Sequence, residues 1–167
     1  EIKSSAITNE ITVRDELVEP MKRFHSDYQN PDKCGFLMMK YEDTIIQTQI
    51  EEVIKEHFKS VGFDILRADD KWYSDDLLTN IKTYMHGCCF GIALFERINT
   101  NYFNPNVSLE IGYMMSLNKP ILYLKDKTLI SLQTDLVGKL YSEYDFQKPL
   151  QFSVYKKSSL LITTELI

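Results

Sequence analysis

The sequence predicts an α/β fold: a parallel sheet covered by helices on both faces. Three observations lead there. Four short apolar runs, at residues 34–39, 63–68, 88–95 and 121–124, alternate with segments of helical period. The runs are apolar almost throughout, as strands buried on both faces require. The third run leads through a polar loop to Asn104-Pro105-Asn106, which has the chemistry of a helix start. Asn is a good cap there, and Pro is tolerated where its missing N–H has no partner to lose.

The elements follow in order. Residues 1–10 are polar and read as frayed. From 11 to 28 a stripe of Val13, Leu17, Met21 and Phe24 marks a helix, with Pro20 inside it as a kink or break. This opening, 1–32, reads as a helical extension or linker whose apolar face could dock elsewhere. Gln29-Asn30-Pro31-Asp32 is a turn. The first strand, 34–39, exits through Lys40-Tyr41-Glu42-Asp43. A helix from about Thr44 to Val61 turns Ile46, Ile50, Val53, Ile54, Phe58 and Val61 inward, and Gly62 stops it. The second strand, 63–68, exits through Asp69-Asp70-Lys71-Trp72-Tyr73. Ser74 or Asp75 then caps a helix with Leu77, Leu78, Ile81, Tyr84 and Met85 on its core face, closed by Gly87.

The third strand follows, and then the Asn104 helix, with Val107, Ile111, Met114 and Met115 facing the core. Ile121 to Leu124 form the fourth strand, and Lys125-Asp126-Lys127 its exit. Ser131 to Val137 fit a short helix, and Tyr141 to Tyr144 a fifth strand. The domain proper is 33–145, with 146–167 as a tail packing on it.

At 167 residues, the length suits one domain, and 44% apolar content suffices for a core. A net charge of −5 argues against nucleic-acid binding through bulk charge. No apolar run approaches the ~18 residues of a membrane helix. The start, Glu1-Ile2-Lys3, has neither an initiator Met nor a secretory pattern, which leaves open that the chain is one domain of something longer. Cys34, Cys88 and Cys89 read as reduced, buried thiols of a cytoplasmic protein. They lack metal-ligand spacing, so no metal is expected.

Parallel strands gather their exit loops on one edge, where open α/β sheets place their sites. That edge collects Lys40 and Tyr41, then Asp69, Asp70 and Trp72, then Glu96, and finally Asn104, Asn106 and Glu110. Met39, Phe95 and Tyr113 complete the candidate nucleotide-binding set. Carboxylates can hold ribose hydroxyls, and aromatic rings can stack on a base. A lone carboxylate beneath C1′ can stabilise a ribosyl cation or attack it, which cleaves N-glycosidic bonds. Glu110 is the catalytic candidate. Its position rules out a capping box, because the residue three after Asn104 is Val107 and three after Asn106 is Leu109.

Plainer readings stay open beside these. Glu110 could be a helix-surface carboxylate near a favourable dipole. Asp69-Asp70 could solvate a loop, Trp72 could pack at a rim, and Glu96 could pair with Arg97. No G-x-G-x-x-G or P-loop is present, so a phosphate would fall to helix amides or to Lys40, Arg67, Lys71 and Arg97.

The ordered set Cys34–Met39, Phe63-Asp64-Ile65-Leu66-Arg67-Ala68-Asp69-Asp70, Asn104-Pro105-Asn106-Val107-Ser108-Leu109-Glu110-Ile111-Gly112-Tyr113 and Asn118-Lys119-Pro120-Ile121 resembles the bacterial TIR-like predicted nucleotide-binding proteins. These are relatives of nucleoside 2-deoxyribosyltransferases and of TIR-domain NAD hydrolases. The resemblance spans roughly Lys33 to Asp145. It implies a flavodoxin-like three-layer sandwich with five parallel strands in order 2-1-3-4-5. It also implies that Glu110 matches the family's catalytic glutamate. The activity so implied is cleavage of the nicotinamide–ribose bond of NAD or a related nucleotide, without a cofactor, in anti-phage defence. Self-association and a fused or separate sensor domain are implied partners. A non-catalytic nucleotide sensor and a nucleoside deoxyribosyltransferase are the alternatives. One departure is Phe95-Glu96-Arg97-Ile98-Asn99, where the family commonly carries a small or acidic exit.

Overall fold

The computed structural model describes residues 15–42, 44–96, 104–129 and 141–145. The elements run α1 (Asp15–Asp27), β1 (Cys34–Met38), α2 (Ile45–Ser60), β2 (Asp64–Leu66), α3 (Leu77–Gly87), β3 (Phe90–Phe95), α4 (Pro105–Ser116), β4 (Ile121–Asp126) and β5 (Tyr141–Tyr144). All five strands are parallel, in the order β2-β1-β3-β4-β5. The fold class, strand count and strand order match the sequence reading. The expected helix at 131–137 and the tail at 146–167 lie outside the described residues.

Alternation along the central strands divides the core in two. Phe36, Met38, Ala93, Phe95 and Tyr123 face α1, α3 and α4. Leu37, Met39, Ile92, Leu94 and Leu124 face α2, meeting Ile50, Ile54 and Phe58. The opening helix does not stand apart: Leu17 and Phe24 of α1 are fully buried, and Phe24 meets Tyr73 and Tyr84 edge-on. Met21 is half-buried, and Val13 of the expected stripe lies outside the described residues.

Several core assignments shift. Leu77 and Leu78 are exposed because Asp76, not Ser74 or Asp75, caps α3, accepting a hydrogen bond from the Thr79 amide at 2.7 Å. That cap puts both leucines in the outward first turn and buries Thr79, Asn80 and Thr83 beside the expected Tyr84 and Met85. Val61 forms the C-cap of α2 and is exposed, with Gly62 taking the left-handed conformation (φ 89°) that ends the helix. Met115 is exposed too. The buried stripe of α4 is Val107, Glu110, Ile111 and Met114, so the carboxylate holds a core position.

Candidate functional site

Local chemistry fixes α4 as the sequence suggests. The Asn104 side chain accepts a hydrogen bond from the Asn106 amide at 2.9 Å, and Pro105 opens the helix. Gly91 then lets α4 approach the sheet closely. A Cβ there would come within 2.6 Å of Met38 Cε and 3.1 Å of Met114 Cε. Packing Met114 against the sheet carries Glu110, one turn earlier, inward near the carboxyl edge.

Glu110 is 6% exposed, and no described residue gives its carboxyl a hydrogen bond or an ion pair. Desolvation alone pushes its pKa up to about 8, because burial penalises the charged form. A buried acid on a core stripe is costly to keep. Such perturbed groups in α/β sheets cluster at functional sites.

Tyr41, just past β1, lies within reach of that acid's charge. Burial of the hydroxyl, with Asp69 and Glu110 nearby, holds it well above the usual phenol range, so it stays protonated. The residue is still 44% exposed. Arg67, past β2, stands over the Tyr41 ring at 5.4 Å from its centroid. Its guanidinium also pairs with Glu51 and, at 2.6 Å, with Asp69. Asp70 accepts from the Arg67 amide at 2.7 Å and from Lys55 at 2.9 Å. Both aspartates are thus engaged by their own chain. Lys40 pairs with Glu42, and Lys71 with Asp27. Arg97 lies outside the described residues.

The other candidates separate. Met39 and Phe95 are buried in the core, Phe95 stacked on Tyr123. Trp72 is exposed, on a loop that Asn80 ties down by accepting from the Tyr73 amide at 2.7 Å and donating to Ala68 O at 2.6 Å. The Tyr113 hydroxyl meets His86 Nε2 at 3.1 Å, at the end of α3 that leads into β3. Asn104 and Asn106 sit at the start of α4.

Glu96 ends β3 beside the first turn of α2. There the fully buried Gln47 donates from Nε2 to Glu96 Oε1 at 2.9 Å, while Thr44 Oγ1 donates to Gln47 Oε1 at the same distance. Gln47 was absent from the sequence candidates. Its signal was the spacing Thr44-x-x-Gln47, the pattern of a capping box.

No protein-family model matches the chain, and no curated protein matches it. Among solved structures, the chain is similar to a CMP N-glycosidase from Clostridium botulinum. The two share 18% identity with a TM-score of 0.48, over 74% of this chain and 99% of that one. Likeness at this level assigns no activity, so the chemistry has to be built from the side chains. They offer a buried acid without a described partner, a protonated phenol near it, and cations already bound to carboxylates. No described helix is long and apolar enough to cross a membrane.

Proposed function

We propose that the chain is an N-glycosidase acting at the nicotinamide–ribose bond of NAD or a related nucleotide, with Glu110 at the reacting carbon. The burial of Glu110 on the core stripe of α4, without a described partner, carries this reading. In the reaction the C1′–N bond breaks and its electron pair leaves with the nitrogen. A nicotinamide nitrogen is cationic while bonded and neutral once released, so it needs no proton. The ribosyl cation left behind faces Glu110, and water then adds to C1′ and gives up a proton. A preorganised charge in a water-poor site acts strongly on such a transition state. The positive charge of the bound pyridinium would also favour ionisation of a carboxyl whose resting pKa is near 8. A place in bacterial anti-phage defence belongs to the same proposal and rests on the TIR-like resemblance.

A second reading, a nucleoside as substrate, has one observation in its favour. The described cations Lys40, Arg67 and Lys71 each pair with a carboxylate at this edge. A pyrophosphate needs cations or helix amides that are free to receive it. The test is incubation with NAD, a nucleoside 5′-monophosphate and a free nucleoside, with released base followed by chromatography. Nicotinamide from NAD supports the first reading, and release from the nucleoside alone supports the second. Release from none of the three removes the enzymatic reading in favour of a nucleotide sensor.

A further inference from the structure

The sequence offers Arg67 as a cation for substrate phosphate, but the geometry points to another use. We propose that Arg67 is a positioning residue that fixes the Tyr41 ring as one wall of the ligand site, and that it does not receive phosphate. The inference rests on the Glu110 site reading above.

Three observations place it. First, the guanidinium is already committed at both ends, to Glu51 and to Asp69, and its side chain is only 11% exposed. A phosphate would have to displace those carboxylates. Second, the guanidinium stands over the Tyr41 ring, 5.4 Å from the centroid, within the range of a cation–π contact. Third, the turn that carries Arg67 is locked. Its amide donates to Asp70 Oδ2, its carbonyl accepts from the Asp70 amide at 3.1 Å, and Lys55 holds the Asp70 carboxylate. Register puts the two exits side by side, because Phe36 of β1 pairs with Leu66 of β2. Tyr41 belongs to a loop with no other described anchor for its ring, and it keeps 44% of its surface open to a ligand.

Arginine suits this task because its planar, permanently charged group can stack on a ring while bonding two carboxylates. Lysine keeps the charge and loses the plane, so it separates the two roles. The experiment measures affinity for nicotinamide riboside and for nicotinamide mononucleotide, which differ by one phosphate. It uses the unaltered chain, Arg67→Lys, Tyr41→Phe, Tyr41→Ala and the Arg67→Lys/Tyr41→Ala double variant, with melting temperatures alongside.

The expected result is a loss of about three- to thirtyfold in Arg67→Lys, the range of a cation–π contact, equal for the two ligands. Tyr41→Phe, which keeps the ring, should bind nearly as the parent does. Arg67→Lys should cost nothing further once Tyr41 is Ala, since coupled neighbours are non-additive. A loss confined to the mononucleotide, or additive losses, would overturn the proposal. Binding without base release would remove the N-glycosidase reading and leave the wall intact. Failure of the unaltered chain to bind either ligand would remove both.

Discussion

Glu110 shows how burial reverses what a position suggests. A carboxylate near a helix start gains roughly 0.3–1 kcal/mol from the dipole, which would make Glu110→Gln mildly unfavourable. The buried acid behaves differently. Its pKa is raised from 4.5 to about 8, so across that window the folded chain holds a proton that the unfolded chain has released. Stability therefore falls as pH rises from about 4.5 to 8, by up to about 1.4 kcal/mol per pH unit, and levels off above 8. Glu110→Gln cannot lose a proton, so its melting temperature should exceed the parent's at pH 8–9 and approach it near pH 5. Parallel curves for the two proteins would refute the buried acid.

Activity tests the same group from the other side. If the charge does the chemistry, kcat/KM for base release should climb as pH passes through about 8 and be about 100- to 1000-fold lower in the Gln variant. A kcat/KM independent of pH between 6 and 9 would exclude Glu110 from the reaction. The sequence singles this residue out as a candidate. Its burial was not legible there, because Val107, Ile111 and Met114 define a stripe without saying that position 110 shares it.

Elements were legible where period alone decides them, and misread where a polar contact sets the ends. In α3 the apolar letters Leu77 and Leu78 promised a core face, but the Asp76 cap starts the helix so that both face outward. The other end of α3 depends on a residue from a different element. Lys119, before β4, donates from Nζ to Met85 O at 2.8 Å, His86 O at 2.5 Å and Cys88 O at 2.5 Å. This ammonium occupies the negative end of the helix dipole, where a cation is favoured. His86 is held below its ordinary pKa by burial and by Lys119 and Lys82. Lys119→Met removes the donor and leaves carbonyls exposed to loss of their partner. We expect destabilisation of roughly 1.5–3 kcal/mol, as for hydrogen bonds to a charged group. The His86 ring should then titrate at higher pH in an NMR titration. An unchanged melting temperature and an unchanged His86 would show that water replaces the ammonium without cost.

For the molecule as a whole, unbroken apolar runs specified a parallel sheet, because strands buried on both faces leave little room for polar letters. The same runs could not show how the charges at the carboxyl edge pair, since Arg67 reaches Glu51 and Lys71 reaches Asp27 across elements. That pairing has a consequence for ligand charge. The chain carries a net charge of −5, and the described cations at this edge are neutralised locally. An anionic substrate should meet repulsion on approach, and a cationic one attraction. Both effects act over the Debye length, which shrinks from about 30 Å at 0.01 M salt to about 8 Å at 0.15 M. Raising salt through that range should lower KM for NAD by screening the repulsion. It should raise KM for nicotinamide riboside, which carries a positive charge and no phosphate, by screening the attraction. Initial rates for the two substrates across the salt series would show the opposite slopes. A KM for NAD that rises with salt would mean that cations govern the site, and attention would turn to Arg97 in the segment joining β3 to α4.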